Sequence, residues 1–154
     1  MLDTAHLFDE FLRLFAAVAI GMALGLDRNL NGKPSGMRTL GLVAFATAAV
    51  TLAGLEYAGM HQPDPASRVI HAVIQGALVG VGFLGGGIIL RDMTSRDVLN
   101  LTTAASIWTT AVMGIVCALA PWALIGVATF ILFVLMVGCR RLEERMGLKD
   151  RENS

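Results

Sequence analysis

The stretch Gln75–Asp92 reads QGALVGVGFLGGGIILRD, and six of its residues are glycine: Gly76, Gly80, Gly82, Gly85, Gly86 and Gly87. The surrounding segment from Val69 to Leu90 is mostly apolar and long enough to cross a bilayer as a helix. In water each glycine would cost such a helix roughly 1 kcal/mol relative to alanine. In lipid the backbone cannot exchange its hydrogen bonds for water, so the helix persists and glycine removes bulk where another helix approaches. Gly76/Gly80 and Gly82/Gly86 are both GxxxG pairs, as is Gly21/Gly25 nearer the start of the chain. These pairs, with Gly85, are expected at close-packed helix crossings; the alternative is that they line a solvent or ion path.

Composition extends this reading to the whole chain. Of 154 residues 55% are hydrophobic, and the mean hydropathy is +0.67. A soluble core of this size could not bury so much apolar surface, so lipid must cover it. Five spans are expected, about Leu7 to Leu26, Met37 to Ala58, Val69 to Leu90, Leu101 to Ala120, and Trp122 to Gly138. The fold class is therefore all-α, a polytopic transmembrane helical bundle. Residues 1–139 form the membrane domain and 140–154 a short charged tail. The acidic start (Asp3, Asp9, Glu10) has no basic n-region, so the first span is expected to stay in the membrane rather than be cleaved as a signal peptide.

Ten of the twelve Lys and Arg residues fall on one side of such a five-span map: Arg28, Lys33, Arg38, Arg91, Arg96 and the five in the tail. Only Arg13 and Arg68 fall on the other. The positive-inside rule then puts the N-terminus outside and the C-terminus in the cytoplasm. Cys117 and Cys139 lie near opposite ends of this map, too far apart for a disulfide, and read as small buried apolar residues.

Two polar groups are candidates for chemistry. At the cytoplasmic face Asp27, Arg28, Arg38, Arg91, Asp92 and Asp97 converge if the first four spans form a bundle. They read as a salt-bridge collar, with Asp27 pairing Arg38, or as a small ion site. Arg38 and Thr39 open the second span, and Thr102 and Thr103 the fourth, where free N–H groups and the helix dipole favour an anion. Asp27, Asp92 and Asp97 could instead offer oxygens to magnesium. At the outer face Glu56, His61, Asp64, Arg68, His71 and Gln75 form a second group. Thr102, Ser106 and Thr109 or Thr110 make a hydroxyl stripe on the fourth span, usual for bonds to a helix's own backbone.

No metal-ligand spacing is diagnostic, and neither a metal nor a cofactor is expected. There is no nucleophile with a placed base, no Walker loop and no Cys/His cluster, so an enzyme is not expected. The basic residues are spread along one membrane face and balanced by acids, unlike a nucleic-acid surface.

Four ordered blocks, GMALGLDRN, GKPSGMRTLGLVA, GVGFLGGGIILRD and LTTAASIWTTAVMGI, span about Gly21 to Gly114 and resemble the signature blocks of the MgtC/SapB family of bacterial inner-membrane proteins. The resemblance implies a small polytopic membrane protein, some of whose kin are associated with growth under magnesium limitation and with virulence. It implies regulation of ion homeostasis, or of another membrane complex such as ATP synthase, more than transport. A homodimer or other membrane-protein partner and the lipid bilayer are the implied contacts, and a small ion transporter or channel is the alternative. The family often has Glu where this chain has Asp27, and its virulence branch has Asn and Cys where this chain has Thr102 and Thr109. Longer members carry a soluble cytoplasmic domain, so this chain is expected to be the membrane module alone.

Orientation is open to a direct test. A C-terminal fluorescent-protein fusion is expected to be active and a C-terminal alkaline phosphatase fusion inactive. The reverse pattern would refute the charge-based topology.

Overall fold

A computed structural model describes residues 4–30, 32–33, 35–59, 63–91 and 98–145. Five helices follow in order: α1 (Thr4–Leu30), α2 (Met37–Gly59), α3 (Pro63–Ile88), α4 (Leu101–Leu119) and α5 (Trp122–Arg145). Between α3 and α4 the two-residue strands β1 (Leu90–Arg91) and β2 (Val98–Leu99) pair antiparallel, Leu90 opposite Leu99. The chain divides into two compact units, Met1–Ala120 and Pro121–Ser154. The fold is the expected all-α polytopic bundle.

Among the described residues four helices are long and apolar enough to cross a membrane: Met37–Ala58, Arg68–Ile88, Leu101–Leu119 and Trp122–Cys139. The helix α1 does not meet that measure. Asp9, Glu10 and Arg13 interrupt its first half, and Asp27 and Arg28 close its second.

In the first unit α1, α2 and α4 make a mutually packed trio, and α3 rests on α2 and α4. The trio is built on helical stripes of small residues. On α1 the buried positions are Ala17, Gly21, Leu24, Gly25 and Arg28, which recur every three or four residues on one face. On α2 they include Leu40, Ala44, Thr47, Ala48 and Thr51, and on α4 Thr103, Ala104, Ile107, Thr110, Ala111 and Gly114. Since lipid tails are as apolar as leucine, close backbone approach is what holds such helices together. A Cβ on Gly21 would lie 2.6 Å from the Leu40 carbonyl oxygen and 2.9 Å from the Ala44 Cβ. One on Gly25 would strike the Met37 backbone, and one on Gly114 would strike Thr47 Oγ1 and the Ala44 carbonyl.

The glycines of α3 behave differently from expectation. Nothing in the first unit lies within 4 Å of a Cβ placed on Gly76, Gly80, Gly82 or Gly86, and Gly85 meets only the Ala104 Cβ at 3.7 Å. Among the described residues of the first unit the close crossing therefore belongs to Gly21/Gly25, with Gly114, and not to the GxxxG pairs of α3. The reason is rotational. Only a narrow stripe of α3, including Val73 near Gly54 and the buried Val81, faces its neighbours. Its remaining surface, with Val79 73% and Phe83 83% exposed, faces away from the trio.

The α3–α4 connection depends on Asn100, which adopts a left-handed conformation (φ 62°) that asparagine tolerates better than most residues. Its Nδ2 donates to the Ile88 carbonyl at 3.4 Å, and its own carbonyl accepts from the Ala104 N–H. The end of α3 is thereby tied to the start of α4. In the second unit α5 opens on the Pro121 carbonyl, which accepts from the Leu124 and Ile125 N–H groups, and runs through to Arg145.

Alanine substitutions separate the two kinds of glycine. Gly114→Ala is expected to destabilise the protein by about 1–3 kcal/mol through overpacking. Gly82→Ala is expected to leave folding unchanged or slightly improved. Thermal unfolding of the two variants in one detergent checks the contrast.

Candidate functional site

The polar chemistry of the first unit concentrates where α1 meets α4. Arg28, near the end of α1, is only 5% exposed. Its guanidinium reaches the first turn of α4, where Nη2 donates to Thr103 Oγ1 and Nη1 donates to Ser106 Oγ at 2.8 Å and, more weakly, to the Thr102 carbonyl at 3.5 Å. Ser106 Oγ in turn donates to the Thr102 carbonyl at 2.8 Å. Arginine suits this position because its planar fork reaches several acceptors at once. A cation at a helix N-terminus opposes the dipole, so these oxygen acceptors must outweigh that cost. Arginine starts so far above neutrality that it stays charged.

Fifteen residues earlier, about 22 Å along the helix, Arg13 does the complementary thing. Its Nη1 donates to the carbonyls of Cys117 (3.0 Å) and Ala120 (2.9 Å), with a longer contact to Ala118 at 3.4 Å. Its Nε donates to Asp9 Oδ2 at 2.6 Å, one turn back. These carbonyls belong to the last turn of α4, whose oxygens have no partner within the helix and carry the negative end of its dipole. The helix α1 is therefore fastened to α4 at both ends, antiparallel, by two arginines.

Four further threonine hydroxyls are bound within their own helices. Thr110 Oγ1 donates to the Ser106 carbonyl, Thr109 to Ala105, Thr51 to Thr47, and Thr47 to Val43 and Ala44. Among the described residues no buried side-chain nitrogen or oxygen lacks a hydrogen-bond partner.

Of the expected collar, Arg28 meets Thr102 and Thr103 of α4, a contact the sequence reading does not foresee, the exposed Thr102 through its carbonyl. Arg38 and Thr39 are exposed, and among the described residues no ion pair joins Arg38 to the half-buried Asp27. With Leu40 turned into the bundle, a residue two places earlier points about 200° away around the helix. Arg91 lies in β1, its side chain outside the description, and Asp92 and Asp97 lie outside the described residues. Both cysteines are free, Cys117 buried and Cys139 exposed.

The outer group is also rearranged. Arg68, His71 and Gln75 are exposed on α3, and His61 and the Asp64 side chain lie outside the described residues. Glu56 instead faces His6 and Glu10 of α1, its Oε1 3.6 Å from His6 Nδ1. The sequence reading overlooked Arg13, which served there only to count charge, and it overlooked His6 with Glu10. A signal for the second pair was present in their i, i+4 spacing, which places them on one helix face.

Comparison with known proteins places these features in context. The model of the MgtC family matches residues 14–145. Protein SrpB of Synechococcus elongatus is 38% identical over 147 residues, covering 90% of this chain and 79% of that protein. Protein SapB of Bacillus subtilis is 34% identical, covering 94% and 68%. Protein MgtC of Salmonella typhimurium is 30% identical, covering 92% of this chain, which spans 57% of its length. No solved structure matches.

The two arginines should be separable by stability. Arg28→Met keeps the length of the side chain and loses charged hydrogen bonds to Thr103 and Ser106, so it is expected to cost about 2–3 kcal/mol. Arg28→Lys should recover only part of this, because an ammonium cannot reach both hydroxyls as the fork does. Arg13→Met, where the side chain is 17% exposed, should cost about 1–2 kcal/mol. Denaturant unfolding of the purified variants in micelles measures all three.

Proposed function

Because this chain belongs to the MgtC family, a group with bacterial members, we propose that it is a non-enzymatic inner-membrane regulator that acts on another membrane protein through helix contacts. Its four long apolar helices make it a multi-pass membrane protein. The role is in ion homeostasis, with magnesium the first ion to test, or in adaptation to stress or a host. The partner is a second copy or another membrane complex, ATP synthase among them.

One observation carries the preference for regulation over transport. The hydroxyls inside the trio are engaged by their own backbones or by Arg28, and Ala44, Ala48 and Ala111 fill the space between helices with no exposed surface. An ion path needs polar groups left open to water or to the ion, whereas a closed interior leaves the outer helix faces as the working surface. The exposed face of α3, with five glycines that meet nothing within 4 Å in the first unit, offers such a surface.

The same reading has α1 crossing the bilayer with the others, N-terminus outside. The segment from Arg13 to Arg28 runs beside α4 from its last turn to its first. If α4 spans, that part of α1 spans with it, its charged ends at the two interfaces where arginines reach carbonyls and water.

Purified protein in liposomes is expected to give no magnesium or potassium flux above protein-free vesicles. Photo-crosslinkers placed at Val79 or Phe83 in native membranes are expected to yield a discrete adduct with a membrane protein. Saturable flux abolished by substitutions inside the trio would overturn this function in favour of a small transporter.

A further inference from the structure

We propose that His6, Glu10 and Glu56 form a binding site for a divalent transition-metal ion of the zinc type, at the end of the bundle where α1 begins and α2 ends. His6 and Glu10 stand one turn apart on α1, and Glu56 comes from the antiparallel α2. One ligand atom from each, His6 Nδ1 and a carboxylate oxygen of each glutamate, lies within 4.8 Å of the other two.

The distances favour a shared ion over direct pairing. His6 Nδ1 is 3.7 Å from Glu10 Oε1 and 3.6 Å from Glu56 Oε1. Both separations exceed a hydrogen bond. On a tetrahedral zinc with bonds of about 2.0–2.2 Å, neighbouring ligand atoms stand about 3.4 Å apart. Two of the three separations thus need only a few tenths of an ångström to close. Glu56, whose side chain is 43% exposed, has the freedom to complete the third.

Charge and space agree with the distances. Two carboxylates and a neutral imidazole carry two negative charges, which one divalent ion balances. The guanidinium of the nearby Arg13 is held by Asp9 Oδ2 and the α4 carbonyls. The three groups line an open cavity of about 560 Å³ together with the Asp9–Arg13 pair, Leu52, Leu55 and Ala118, leaving room for water at a fourth position. An imidazole nitrogen among the ligands selects zinc, or a neighbouring first-row ion, over magnesium. Magnesium prefers oxygen ligands in a strict octahedron and gives up water reluctantly.

The site is independent of the regulatory reading above, and either can fail without the other. The test uses the full chain, untagged, stripped with chelator and titrated with zinc by calorimetry in detergent. About one ion per chain is expected to bind. His6→Ala and Glu56→Gln are each expected to weaken binding at least tenfold, and His71→Ala, on the exposed face of α3, to leave it unchanged. Because His6 is 60% exposed, its loss should leave the helical circular dichroism and elution volume of the parent. Glu10→Gln gives a second variant on the same helix. A tenfold excess of magnesium is expected not to displace zinc. The proposal is overturned if wild-type protein binds no zinc, if folded His6→Ala binds like wild type, or if magnesium competes on equal terms.

Discussion

The close approach of α1 to α2 at Gly21 is the contact on which the other features of the first unit depend. With no side chain at Gly21, the helix lies against the Leu40 carbonyl and Ala44, and at Gly25 against the backbone of Met37. In lipid no hydrophobic force distinguishes one apolar helix from a hydrocarbon tail, so such backbone proximity must supply the association energy. It also sets the separation of α1 from α2, and with it the closeness of His6 and Glu10 to Glu56.

Given that approach, the two arginines solve a problem that α1 carries in its own composition. A helix with charges in both halves is poor membrane material, and burying a charge without partners is costly. Arg13 offsets this by covering the carbonyls of the last turn of α4, a site where a cation gains from the dipole. Arg28 works against the dipole and is held instead by the oxygens of Thr103, Ser106 and Thr102. The hydroxyls of α4 are therefore divided. Thr103 and Ser106 serve the arginine, while Thr109 and Thr110 satisfy their own helix.

The result is a closed trio with a lightly attached fourth helix. Small residues and internally bonded hydroxyls leave little in the trio for an ion to use, whereas α3 turns glycines and large apolar side chains outward. Chemistry is displaced to the ends of the bundle, where helices finish and carboxylates and imidazole can meet water. That separation explains why the polar residues of this chain cluster at two levels.

The sequence by itself determined the membrane class, the helix positions and the family, because each is local. Hydropathy over about twenty residues and breakers such as Pro63 and Pro121 mark the helices, and the four blocks from Gly21 to Gly114 carry the family resemblance. It also placed Arg28, Thr102 and Thr103 at one membrane face, without joining Arg28 to the fourth helix. What only the tertiary structure decided is which face of each helix turns inward. Gly21/Gly25 and Gly82/Gly86 are the same motif, yet one pair is a seam and the other is open, because rotation about a helix axis is set by all neighbours together. Likewise Asp27 and Arg38 are near in sequence and do not pair, while His6 and Glu56, fifty residues apart, face one another. Contacts between helices depend on interaxial distance and rotation, and neither is written in the periodicity of one helix alone.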